Sequence, residues 1–163
     1  MRKYPLQDLL RVRLFREDKA EAEVTAARRK LEAAKTALEA RREQLADYIR
    51  KREEQEKALW DEVIEQQVQM RDLDDLKLKI QMLRDKQTAF EEAVEQAKRD
   101  VKAAEEAVEQ ARAAHIKARK EREKIDEHKE IWAQEEKKRC EAEAEKEMED
   151  FRVRVAEENE IPD

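Results

Sequence analysis

The chain has 163 residues, of which 49% are charged, with no glycine, no serine and two prolines at its extremes, Pro5 and Pro162. Such a chain lacks the residues that tight turns need, and its strong helix formers point to a coiled coil or long helix. At 39% hydrophobic and 4% aromatic it can bury a narrow seam but no broad core, and its formal net charge of −6 argues against a nucleic-acid partner.

Pro5 suits the first turn of a helix, where its missing N–H costs nothing. Leu6, Leu9, Leu10, Val12, Leu14 and Phe15 then crowd most of the helix circumference. They either form a local core or leave surface for another protein. A heptad follows, with Val24, Leu31, Leu38, Leu45 and Leu59 at one position. Ala27, Ala34 and Tyr48 stand at the other, and Arg41, Arg52 and Gln55 interrupt the pattern. Long stems let such residues cover a seam, so they read as weak points rather than sites.

The densest apolar stretch, 59–83, reads as the tip of a helical hairpin. It contributes Trp60, Val63, Ile64, Val68 and Met70. These either close the hairpin end or form a contact surface, since aromatics and Met are common in contact hot spots. The reversal is expected between roughly 64 and 73, with Asp72 capping the second helix.

The second arm steps by three and four from Leu73 through Leu76, Ile80, Leu83, Gln87, Phe90, Val94, Ala97, Val101, Ala104, Val108, Ala111, His115, Ala118, Arg122, Ile125 and Lys129 to Trp132. This predicts a left-handed supercoil. Exposed pairs such as Glu53–Lys57 on the first arm and Glu95–Arg99 and Glu135–Arg139 on the second are expected. Beyond Trp132 the second arm outruns the first. Residues 141–163 hold ten acids and three bases, against one acid and five bases in residues 1–16. Met148, Phe151, Val153 and Val155 leave apolar surface there, as a fraying tail or as a helix completed in a complex.

The expected fold is therefore all-α, two long helices forming an antiparallel coiled-coil hairpin. Helix one covers about 5–65, the tip about 66–72, and helix two about 73–160 with an acidic overhang. The first arm would be about 90 Å long at ~1.5 Å per residue.

Chemistry is scarce. No serine nucleophile exists, and Cys140 among Lys137, Lys138 and Arg139 reads as an exposed structural thiol. His115 and His128 stand too far apart for a helical metal pair, and the acids at 72, 74 and 75 lack the glycine and distal Glu of a calcium loop. Phosphate-cradling loops need glycine. No catalytic residue, metal or cofactor is expected, and the chain is read as a non-enzyme. No apolar run is long enough to span a membrane, no signal-peptide core opens the chain, and the single cysteine suits a reducing cytoplasm.

Tyr4-Pro5-Leu6, Leu9-Leu10, Val12-Arg13 and Arg16-Glu17 resemble the opening of YscO-type proteins of bacterial type III secretion. Leu59-Trp60, Val63-Ile64 and Met70-Arg71-Asp72-Leu73-Asp74-Asp75-Leu76 are similar to that family's tip, and Glu123-Lys124-Ile125-Asp126-Glu127 to its closing stretch. The missing glycine at the tip departs from the family pattern. The resemblance, which extends to flagellar FliJ, implies a cytoplasmic stalk peripheral to the apparatus at the inner membrane. It implies three partners: the hexameric secretion ATPase, an export gate protein and export chaperones. By analogy Leu9, Val12, Phe15, Met148 and Phe151 at the open end would enter the ATPase ring, and the tip residues would reach the gate. A monomer is expected. The competing readings are a coiled-coil chaperone or scaffold of the prefoldin kind and a parallel dimeric rod.

Overall fold

The computed structural model describes residues 2–159, with side chains through 156. Two helices account for nearly all of them: α1, Gln7–Ile64, and α2, Met70–Asn159. They pack against each other antiparallel, which rules out the parallel rod. Contacts group them into two units, Glu23–Ala111 and Met1–Ala22 with Arg112–Asp163.

The Glu23–Ala111 unit contains the reversal. Residues 65–69 link the helices, and among the described residues none has positive φ. The turn therefore does without the left-handed backbone that glycine favours. The last turn of α1 closes with Glu65 N–H donating to the Asp61 carbonyl at 3.3 Å. At the start of α2 the cap differs from the expected one. Gln69 occupies the N-cap position, and Asp72 stands at the third helical position. The Asp72 carboxylate accepts the Gln69 backbone N–H at 3.0 Å, while the Asp72 N–H donates to the Gln69 carbonyl at 3.0 Å. This is one half of a capping box, and it places a negative charge at the positive end of α2.

The seam of this unit follows the 3-4 repeat. Val24, Leu76, Ile80, Val94, Ala97 and Val108 are buried, and Leu31, Leu38, Leu45 and Leu83 are half-buried. Tyr48 stacks on Phe90 with ring centres 4.7 Å apart, and its hydroxyl donates to the Leu83 carbonyl at 2.6 Å. Beyond Tyr48 the α1 side changes phase. Gln55, expected on the seam, is exposed, and Glu56 takes its place. The seam thus runs Tyr48, Arg52, Glu56, Leu59, Val63, with two successive steps of four. Such a stutter locally unwinds a supercoil. Arg41, also expected on the seam, is exposed and donates to Gln44 at 3.2 Å.

In the other unit Pro5 lies in the turn before α1, where the Tyr4 carbonyl accepts the Gln7 N–H at 3.3 Å. Leu10, Arg13, Glu17 and Ala20 form the inner face of α1, with Leu6 just ahead of it in the same alternation of four and three. On α2, Ile125, Lys129 and Trp132 are half-buried and Glu136 is buried, and Glu121 and Arg122 bond Arg13 and Glu17 across the pair. From Lys137 to Ala156 every side chain is exposed except half-buried Cys140. The cysteine is less open than expected because it continues the seam four residues after Glu136.

The helix-surface pairs also differ in detail. Glu95 takes Lys98 at 2.8 Å while Arg99 donates to Gln96, and Arg139 turns to Glu136. Spacing of three competes with spacing of four on a helix surface.

Candidate partner-binding surfaces

The tip residues divide into two sets. Val63 and Val68 are half-buried and close the end of the seam. Trp60, Ile64 and Met70 are exposed, with Ile64 and Met70 each 77% open. Trp60 and Ile64 stand four apart on one face of α1, so a partner could engage both. Sequence reasoning missed a neighbouring feature. Gln55, Ala58, Leu59 and Glu62 of α1, with Lys79, Met82 and Leu83 of α2, line a groove of about 440 Å³. Its only signal is that Met82 directly precedes a seam residue, which turns its side chain to the seam's edge and leaves it exposed.

The open-end residues likewise divide. Leu10 is buried and Leu6 half-buried, so these belong to the seam. Leu9, Val12, Leu14 and Phe15 are exposed, Phe15 by 68%. Leu9, Val12 and Phe15 are three apart, so they sweep around the outer side of α1 rather than forming one line. On α2, Met148, Phe151 and Val155 are exposed on one face, and Val153 points away from it.

Polar contacts fix this unit. The Tyr4 hydroxyl and His128 Nδ1 lie 2.7 Å apart, and the Tyr4 ring meets Trp132 edge-on at 5.4 Å. Arg13 donates to Glu121. Arg122 donates to both carboxylate oxygens of Glu17, at 2.7 and 3.3 Å, and to Asp126 at 2.7 Å. The Arg122 hydrogen bond holds the Glu17 carboxyl below its ordinary value of 4.5, and the two carboxylates raise the Arg122 guanidinium further. Glu136 is 5% exposed and accepts the Arg2 backbone N–H at 3.1 Å. That bond, and then the Arg139 side chain, lower its carboxyl pKa. Among the described residues no group of His, Cys, Asp and Glu could hold a metal ion, and no helix is long and apolar enough to cross a membrane.

An antiparallel helical pair that leaves large apolar residues exposed beside its seam offers surface for protein contact. Residues 6–154 match the family described as Type III secretion protein YscO. The chain belongs to the YscO family. Its fold is similar to that of the YscO homologue CT670 from Chlamydia trachomatis, at 28% identity and TM-score 0.78 over 98% of each chain. It also resembles the type III secretion protein YscO of Vibrio parahaemolyticus in fold, at 22% identity and TM-score 0.84 over 90% of this chain and 92% of that one. No curated protein matches. As a YscO-family protein the chain is a type III secretion component, which displaces the free-standing chaperone reading. The YscO match covers the tip and closing motifs and the opening motif from Leu6 onward.

Proposed function

We propose that this chain is a non-enzymatic, cytoplasmic stalk of the type III secretion apparatus, working as one copy per ATPase ring. Its open end (Leu9, Val12, Phe15, Met148 and Phe151) engages the hexameric secretion ATPase. Its tip, Trp60, Ile64 and Met70, reaches the export gate, with Val63 and Val68 holding that tip together. Export chaperones are its further partners. The observation that carries this reading is the exposure of large apolar side chains, at Phe15, Ile64 and Met70 beside a closed seam and at Phe151 where no helix faces α2. Apolar surface left open in a chain this charged marks protein contact.

The test is ATP turnover by the cognate secretion ATPase with and without this protein, together with the ATPase's oligomeric state. Faster turnover with hexamer formation is expected, lost on replacing Phe15 and Phe151 with Ser. No binding and no change, with both proteins folded, would overturn the stalk assignment.

A further inference from the structure

The seam of α2 does not stop where α1 stops facing it. Beyond Glu136 it continues as Cys140, Ala144, Met148, Phe151 and Val155. At about 100° per residue these lie on one face. Cys140 is half-buried, whereas Met148, Phe151 and Val155 are exposed. The stripe is thus the unpartnered continuation of an existing helix–helix interface.

Its flanks carry an ordered charge pattern. Glu141, Glu145 and Arg152 lie on one side, and Glu143, Glu147 and Arg154 on the other. Acids come first and arginines last on both sides. Antiparallel helices bring like-named flanks together, as this chain's own groove of Ala58, Glu62, Lys79 and Met82 illustrates. A sequence with acids at one end and bases at the other is therefore complementary to a reversed copy of itself.

We propose that this stripe pairs antiparallel with the same stripe of a second copy of the chain. Centred near Met148, the pairing sets Ala144 against Phe151 and Cys140 against Val155, so small faces large at each step. Arg152 of one copy then lies between Glu141 and Glu145 of the other, and Arg154 lies against Glu143. Two-fold symmetry repeats every such contact. Glu147 and Asp150 meet their counterparts near the axis and oppose the association. The stripe is also short for a coiled coil. The pair is consequently weak and reversible, a state of the free protein. A basic helix from another protein would satisfy the acids but leave Arg152 and Arg154 facing like charge, which favours the second copy. The inference stands apart from the ATPase reading. If both hold, pairing masks Met148 and Phe151 until the ring competes for them.

The test is sedimentation velocity of the full chain under reducing conditions from about 1 to 500 µM. A monomer–dimer equilibrium is expected. Glu143→Arg with Glu145→Arg should weaken it about tenfold. Adding Arg152→Glu and Arg154→Glu should restore it to within about threefold, with helicity by circular dichroism unchanged throughout. Met148→Cys in a Cys140→Ala background should form a disulfide-linked dimer on oxidation, because residue 148 sits beside the axis. A chain that is monomeric at every concentration overturns the proposal. So does a dimer indifferent to the charge changes, or one that cross-links through Cys140, which only a parallel pair would align. A monomer whose stripe instead binds a basic helix of another protein overturns it as well.

Discussion

Arg122 grips Glu17 of the facing helix at two points, Nε to Oε2 at 2.7 Å and Nη2 to Oε1 at 3.3 Å. Both side chains are largely covered, so the pair is set into the seam rather than laid on the surface. A two-point grip fixes orientation as well as distance.

The pair makes stability depend on acidity. The Glu17 and Glu136 carboxyls both lie below their ordinary value of 4.5, Glu17 through Arg122 and Glu136 through the Arg2 N–H. A depressed carboxyl contributes stability that is present above the unfolded value and lost as pH falls through the folded one. Melting temperature should therefore drop as pH is taken below about 4.5, and Glu17→Gln should flatten that drop. Thermal melts by circular dichroism at a series of pH values check this. An acid limb unchanged by the substitution would show that Glu17 does not contribute.

Tyr48 ties the helices together in the unit around the turn by stacking on Phe90 and bonding the Leu83 carbonyl. Tyr48→Phe keeps the stack and loses only the hydroxyl, at a cost of about 1 kcal/mol. Tyr48→Ala loses both and should cost roughly 3 kcal/mol. Urea unfolding of the two variants measures the difference, and equal losses would place all the stabilisation in the hydroxyl.

Arg52 and Glu56 bond each other at 3.0 Å on the seam between Tyr48 and Leu59, and Arg52 Nε is buried without a partner. Replacing Glu56 alone with Leu leaves Arg52 only the exposed Glu53 carboxylate at 3.7 Å and should destabilise the chain by about 2 kcal/mol. Replacing both with Leu should be neutral or stabilising. A double variant less stable than the single would mean that the pair, not the packing, holds the stutter.

The tip separates into residues that close and residues that wait. Val63→Ser with Val68→Ser should lower the melting temperature and leave the outer face intact. Trp60→Ser with Ile64→Ser and Met70→Ser should leave helicity unchanged yet weaken binding to the export gate. Binding affinity by calorimetry and melting temperature, both measured on the double and the triple variant, distinguish the two roles; gate binding unaffected by the outer-face variant removes the tip assignment.

The fold was legible because a 3-4 repeat of Leu, Val, Ile and Ala survives through α2 almost without interruption. What stayed hidden were places where charge takes an apolar position. Stepping back from Val24 by four and three reaches Ala20, Glu17, Arg13 and Leu10, the observed inner face of α1, and then Leu6 just ahead of it. Glu17 and Arg13 break the apolar signal there, and only their partners 105 and 108 residues away make them seam residues. The stutter escaped notice for a similar reason: Gln55 and Glu56 are both polar, and only the facing Arg84, 3.3 Å from Glu56, reveals which one turns inward. At the candidate surfaces the residue types were readable. Which apolar residues stay exposed depends on the exact phase of each helix, and that phase is set by packing.

The reversal at 65–69 asks for no residue of unusual backbone conformation. A turn that needs glycine surrenders a position to geometry, and changing it unfolds the turn. Here every position except Val68, which closes the seam, is open to any side chain that tolerates ordinary backbone angles. The surface of this end can therefore be rewritten by substitution while the arms keep their pairing, so the scaffold can present a new face without first having to relearn how to fold.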